Sequence, residues 1–210
     1  MKTFEQIIKS RKTVRNFTGE IPSEADINYI AQAAVYAPYG GATGIPFEEL
    51  RRIVIFKRGT ESMKEAERLI IENVKKGHKS ISGLIKILPF LKKKMGSFSN
   101  RLKMISENGI PALRDGGYFI VIAERKGFPP VAKQSLAHAM ENMWLAATEK
   151  GLGFQMVSAT GQMSKNKKFM NLLKLETCKY DIDGCVVGIA SSDISQEKSF
   201  DAEKFVNYVK

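Results

Sequence analysis

The sequence predicts an α+β fold built on one central sheet, and three observations carry that prediction. Four short apolar runs, at about 52–56, 118–123, 154–158 and 185–191, read as strands because they are brief and rich in β-branched residues. Helical patterns fall between them without regular strand–helix–strand repeats, which separates the chain from the parallel α/β folds. The segment 131–149 carries Leu136, Ala139, Met140, Met143, Trp144 and Ala147 over more than one helical face. A helix apolar over so wide an arc is expected inside the core or against a second copy of the chain. With 210 residues, 43% of them hydrophobic, and no internal repeat or linker, the chain reads as one domain, 1–210.

The elements come in this order. Residues 3–10 form a short helix with Phe4, Ile7 and Ile8 on one side. Ser23 is a good N-cap for the next helix, and Asp26 can complete a carboxylate version of the capping box. Ile27, Ile30, Ala31, Ala34 and Val35 keep helical spacing until Pro38 ends the run. A glycine-rich loop, 39–44, leads into the first strand. Residues 61–77 read as a charged helix, and 80–106 as a basic helical region interrupted near Pro89. Gly151-Leu152-Gly153 closes the apolar helix before the last two strands. Phe205 to Val209 alternates like an added strand, one that could pair across a partner.

Composition narrows the functional classes. No run reaches the roughly 18 apolar residues of a membrane span, and Met1-Lys2-Thr3-Phe4-Glu5 has no signal core, which points to the cytoplasm. Cys178, Cys185, His78 and His138 match no metal-ligand spacing, so the cysteines read as reduced, partly buried thiols. His138 reads as a core or interface residue and His78 as exposed. The formal charge of +11 implies an anionic partner. Much of it is local: between Asn73 and Ser106 there are nine Lys and Arg residues and no acid. No nucleic-acid motif accompanies this charge, and nucleic acid is not expected as a partner.

Arg11-Lys12-Thr13-Val14-Arg15 places three cations and a hydroxyl within five residues. Such a set suits a phosphate dianion, because arginine offers a fork and lysine a point charge. Taken alone, the same residues also fit a solvated basic turn.

In context, this segment and the motifs downstream of it resemble the nitroreductase family of flavoproteins. Arg11 to Phe17 is similar to that family's phosphate-gripping opening. Ala37-Pro38-Tyr39-Gly40 resembles its flavin-side loop, and Pro46-Phe47 its Pro-Trp turn. Ala146-Ala147 with Gly151-Leu152-Gly153 is similar to a later signature, and Val186-Val187-Gly188 to the last core strand. The resemblance implies a mainly antiparallel sheet flanked by helices, an intertwined homodimer and FMN as cofactor. It implies Arg11, Lys12, Thr13, Arg15 and Lys198 at the phosphate, and Pro38, Tyr39, Gly40 and Thr43 along the flavin. Met156, Val157, Ser158 and Ala159 would form a strand-end turn whose N–H groups approach the flavin N5. The loop departs from the family pattern, with Thr43 where Asn is usual and Ile45 where Gln is usual.

The activity implied is electron transfer from NADH or NADPH to a nitroaromatic, quinone-like or similar small aromatic acceptor, in ping-pong order. Flavin carries that chemistry, so no acid, base or nucleophile is nominated. A flavin-binding relay or sensor is the alternative, motivated by the altered loop. The basic insertion at about 61–106 has two readings: a cover over the pocket, which is preferred, or a helix on an anionic membrane surface.

Overall fold

In the computed structural model, which describes residues 2–39, 44–201 and 204–209, the first helix, α1 (Phe4–Ser10), is opened by a capping box. Thr3 Oγ1 accepts from the Gln6 N–H, and the Gln6 side chain accepts from the Thr3 N–H. Helix α2 (Glu24–Val35) starts at Ser23, whose Oγ accepts from the Asp26 N–H at 3.1 Å. The Asp26 carboxylate turns back to the Ser23 hydroxyl at 2.6 Å, not to its backbone as a capping box requires.

A single turn, α3 (Phe47–Leu50), leads into strand β1 (Arg51–Lys57). Helix α4 (Glu61–Ile87) then runs unbroken for 27 residues. The expected stop near residue 77 is absent, because Gly77 and Gly83 each weaken a helix by only about 1 kcal/mol, whereas Pro89 ends it. A 3-10 turn (Pro89–Leu91) joins α4 to α5 (Lys92–Asn108). Next come α6 (Pro111–Asp115), β2 (Tyr118–Arg125), α7 (Ala132–Glu149), β3 (Gly153–Met156), a 3-10 segment (Ser158–Lys165), α8 (Lys167–Leu172) and β4 (Tyr180–Gly188).

The four strands form one antiparallel sheet in the order β1-β2-β4-β3. Strand β2 lies inside it and is buried on both faces, which explains its continuous apolar run. Its side chains divide by the two-residue period. Phe119, Val121 and Ala123 enter a core with Met63, Leu69 and Ile70 of α4 and Phe169 and Met170 of α8. Tyr118, Ile120 and Ile122 enter the opposite core with Ile27 and Ile30 of α2 and Leu136, Met140 and Met143 of α7. The fold is therefore helix, sheet, helix, with the expected α+β class and antiparallel sheet in place.

One expectation is corrected and two are narrowed. His138 is exposed in the single chain, on the α7 side opposite Ala139, Met140 and Met143, which removes the core reading and leaves the interface one. His78 is half-buried and shares a hydrogen bond with Ser82 Oγ at 2.9 Å. Residues 204–209 form no strand within the chain, since an alternating pattern makes a strand only where an edge receives it. Both cysteines are free; Cys185 is fully buried, with its thiol pKa pushed up by that burial, while Cys178 is exposed.

Candidate functional site

The cationic segment is tied to the β3 edge. Thr13 bridges Phe154, and the Val14 N–H donates to the Phe154 carbonyl at 3.0 Å. Four residues further, Phe17 bridges Ala190 beyond the end of β4. Gly153 and Gly188 are register partners, and both face Phe17. A Cβ on Gly188 would lie 2.8 Å from the Phe17 ring, and one on Gly153 would lie 2.8 Å from Val14. The two glycines thus open a notch in the sheet that seats Val14 and Phe17, fixing the two residues between them, Arg15 and Asn16.

Arg15 is exposed and borders a cleft of about 560 Å³. The opposite wall comes from α5, through Arg101, Met104, Ile105 and Asn108, and from the turn Gly109–Pro111. The floor is the β3 end and the turn after it, Gln155 to Ala159. Ser158 and Ala159 open a 3-10 helix, so their N–H groups have no preceding turn to bond. The Val157 N–H is already used, donating to Gly184 at 2.7 Å. Gln155 Oε1 is buried at the cleft without a hydrogen-bond partner. Buried acceptors of this kind are costly when left unmet, and this one offers its lone pairs to a ligand N–H.

The cleft therefore gathers Arg15, Met156, Val157, Ser158 and Ala159, whereas Arg11, Lys12, Thr13, Pro38, Tyr39 and Lys198 are not in its lining. Arg11 pairs with Glu141 at 3.0 Å and stacks over Trp144, 4.4 Å from the ring centroid. Lys12 Nζ donates to the Asp193 carbonyl at 3.2 Å, and its own carbonyl accepts from the Trp144 indole. Thr13 is held in the bridge to β3. Lys198 is brought beside α1, where its N–H donates to the Lys9 carbonyl. Pro38 and Tyr39 lie elsewhere, with the Tyr39 hydroxyl on the Arg125 carbonyl at 3.2 Å. Gly40 and Thr43 fall outside the described residues. Among the described residues no cluster of His, Cys, Asp or Glu could hold a metal.

Residues that sequence reasoning did not single out complete the cleft: Gln155, Met104, Ile105, Asn108 and the 109–111 turn. The Gly109-Ile110-Pro111 run was a readable turn signal. Gln155, a lone amide between apolar neighbours in a short strand, was a second.

Behind the loop that begins at Pro38 lies a buried ion pair. Arg51 and Glu124 are neighbours across β1 and β2, and their side chains are almost wholly enclosed. Arg51 Nε donates to Glu124, while Nη1 donates to the carbonyls of Ala34 at 2.5 Å and Ala37 at 2.7 Å. One guanidinium thus meets carbonyls at and just beyond the α2 C-terminus, where a cation is favoured. Burial pushes the Glu124 carboxyl upward in pKa, and Arg51 draws it only part of the way back.

The nitroreductase family model matches residues 8–189. The chain belongs to the nitroreductase family. The match takes in the cationic segment, the whole sheet and every part of the cleft. Solved structures share this nitroreductase fold. A Bacteroides fragilis nitroreductase with bound FMN superposes with a TM-score of 0.72 at 18% identity, covering 100% of both chains. A Desulfitobacterium hafniense nitroreductase with bound FMN gives 0.69 at 20% identity, again over 100% of both. An iodotyrosine deiodinase bound to FMN and 3-iodo-L-tyrosine gives 0.66 at 21% identity, covering 99% of this chain and 100% of that one. No curated protein sequence matches the chain at a significant level.

Proposed function

We propose that the chain is an FMN-dependent oxidoreductase that takes electrons from NADH or NADPH and passes them to a nitroaromatic or quinone-like acceptor in ping-pong order. The observation that carries this reading is the cleft itself. An Arg15 that is seated but unpaired among the described residues, two N–H groups at the start of a 3-10 helix and an amide oxygen without a described partner converge there in a nitroreductase-family chain. The donor set fits a group with a phosphate at one end and a polar-edged ring at the other. The FMN bound in relatives such as the Bacteroides fragilis protein supports the choice.

When bound, FMN would supply two-electron redox chemistry that no side chain provides. The chain's own part is placement. Arg15 would hold the phosphate through a charge-assisted fork, and Arg11, Lys12, Thr13 and Lys198, which hold other partners in the single chain, would join it on exchanging those contacts. Ser158 and Ala159 would direct their N–H groups at the ring edge, and Gln155 Oε1 would accept from a ring N–H. Met104 and Ile105 would keep bulk water from one side, the covering role proposed for the inner part of the basic insertion. Pro38, Tyr39, Gly40 and Thr43 would approach the ring from a second copy in a homodimer. With a deiodinase in the same fold, the acceptor is a property of the site and not of the fold.

The test is an absorbance spectrum of purified protein before and after adding FMN and desalting. Retained flavin bands that weaken in Arg15→Ala support the site, whereas protein that retains none sinks it. Stopped-flow mixing with NADH and with NADPH then separates a reductase, whose flavin bleaches, from a passive relay.

A further inference from the structure

The two ends of the α4–α5 hairpin differ in what they face. The inner end of α5 borders the cleft, whereas the outer hairpin, between Val74 and Ser99, carries no buried side chain. Val74 is the last buried residue of α4, and Ile87 ends the helix thirteen residues later. At 1.5 Å per residue the tip stands roughly 20 Å beyond the core. Behind the tip, the hydroxyls of Ser82 and Ser99 meet across the two arms at 3.4 Å. At the tip, Ile87 is 77% exposed and Phe90 73%, with Leu88 also exposed between them. Lys86 and the run Lys92 to Lys94 flank these apolar side chains. Among the described residues none of these four lysines has an acidic partner, and the sequence offers no acid between Glu72 and Glu107.

We propose that this tip docks into the interface of an anionic lipid bilayer. An apolar wedge alone would suit a protein partner, and lysines alone would suit any polyanion. A bilayer surface with negative headgroups takes both at once: Ile87, Leu88 and Phe90 enter the acyl boundary, and the lysines remain at headgroup level. A second copy of the chain is a poor complement, since it carries the same +11 charge, and lysine is depleted from the centres of protein interfaces. The break at Pro89 makes the contact a point rather than a helix lying flat. This inference concerns the outer hairpin and does not rest on flavin in the cleft.

The experiment is co-sedimentation of the intact protein with sucrose-loaded vesicles, of phosphatidylcholine alone or mixed with phosphatidylglycerol. Wild type is expected in the pellet with the mixed vesicles only, and release by salt is expected to be steep. Changing Lys92, Lys93 and Lys94 together to Gln is expected to lower partitioning on the order of 100-fold. Ile87→Ser with Phe90→Ser is expected to abolish the binding that survives in high salt. These side chains are exposed, so circular dichroism and melting temperature should stay at wild-type values in both variants. The salt and lipid dependence of wild type stands as a test even if a variant misfolds. Wild type that stays in the supernatant with mixed vesicles overturns the proposal, as do variants that bind like wild type. A change of oligomeric size by light scattering in the tip variants assigns the tip to a second copy. Tip-dependent binding to a random oligonucleotide, without vesicle binding, assigns it to nucleic acid; either result also overturns the proposal.

Discussion

Arg51 and Arg15 use the same side chain in opposite ways. Arg51 is enclosed between two strands and the end of α2, and its donors are met by Glu124 and by helix carbonyls. Arg15 lies on a segment just as firmly fixed, with Val14 and Phe17 seated in the glycine notch, but its guanidinium is left to the cleft. The backbone is anchored in both cases, and only the head group differs. A charge that holds the fold together has its partners within the chain. One available to a ligand is rigidly placed and lacks such partners. The tip lysines are a third condition, carried on helices but exposed and, among the described residues, without an acidic partner.

The comparison can be broken most severely at Arg51. Arg51→Met leaves Glu124 enclosed without its cation, and is expected to lower stability by about 3–5 kcal/mol, measured by urea denaturation. Adding Glu124→Leu should recover part of that loss. A single-variant loss under about 1 kcal/mol would mean the pair is not a structural clamp. Next in size is Gly188→Ala. Its Cβ would meet the Phe17 ring at 2.8 Å and the Gly117 nitrogen at 3.0 Å, and overpacking of this kind costs about 1–3 kcal/mol. The melting temperature should fall and flavin retention with it, because the seat of Arg15 shifts.

Arg15→Ala should do the reverse of Arg51→Met. Stability is expected to change by no more than about 0.5 kcal/mol, while FMN affinity, followed by fluorescence titration, falls at least about tenfold for the loss of a charge-assisted bond. The smallest effect sharpens the buried side of the comparison. Asp183 is half-buried opposite Ile122 in the sheet; burial raises its pKa, and a hydrogen bond from the Gly184 N–H offsets this only in part. A raised carboxyl pKa gives stability that is complete below the unfolded value and is lost as pH rises through the folded one. Asp183→Asn should therefore match wild type in acid and gain on it toward neutral pH. Parallel melting curves across that range would refute this.

Much of the sheet was legible because burial on both faces writes a continuous apolar run, as in Tyr118 to Ala123. The first half of β4 was not. Tyr180-Asp181-Ile182-Asp183-Gly184 looks like a turn, yet Lys126 pairs with Asp181 and a backbone N–H meets Asp183. Helix α4 exceeded its expected length because a glycine weakens a helix without ending it. Helix α8 escaped notice because six residues capped by Asn166 leave little periodicity. At the site, the 156–159 turn could be read by resemblance. Its companions left signals at Gly109–Pro111 and Gln155 but could not be brought together from the sequence, because Met104, Asn108 and Gln155 meet only after α5 packs back toward the sheet. The spreading of Arg11, Lys12 and Arg15 to three different neighbours was equally hidden, since adjacency in sequence does not set where side chains point.

Trp144 is the chain's one tryptophan. It stacks on Phe154 with ring centroids 5.1 Å apart, lies under the Arg11 guanidinium and donates its indole N–H to the Lys12 carbonyl. The protein thus carries an optical probe wired to the segment that would meet an anion. Excitation at the red edge of protein absorbance addresses that ring alone, so its emission and its quenching by iodide report on residues 11–15 without a label. Any ligand that draws Arg11 away from the indole will be recorded there, coloured or not.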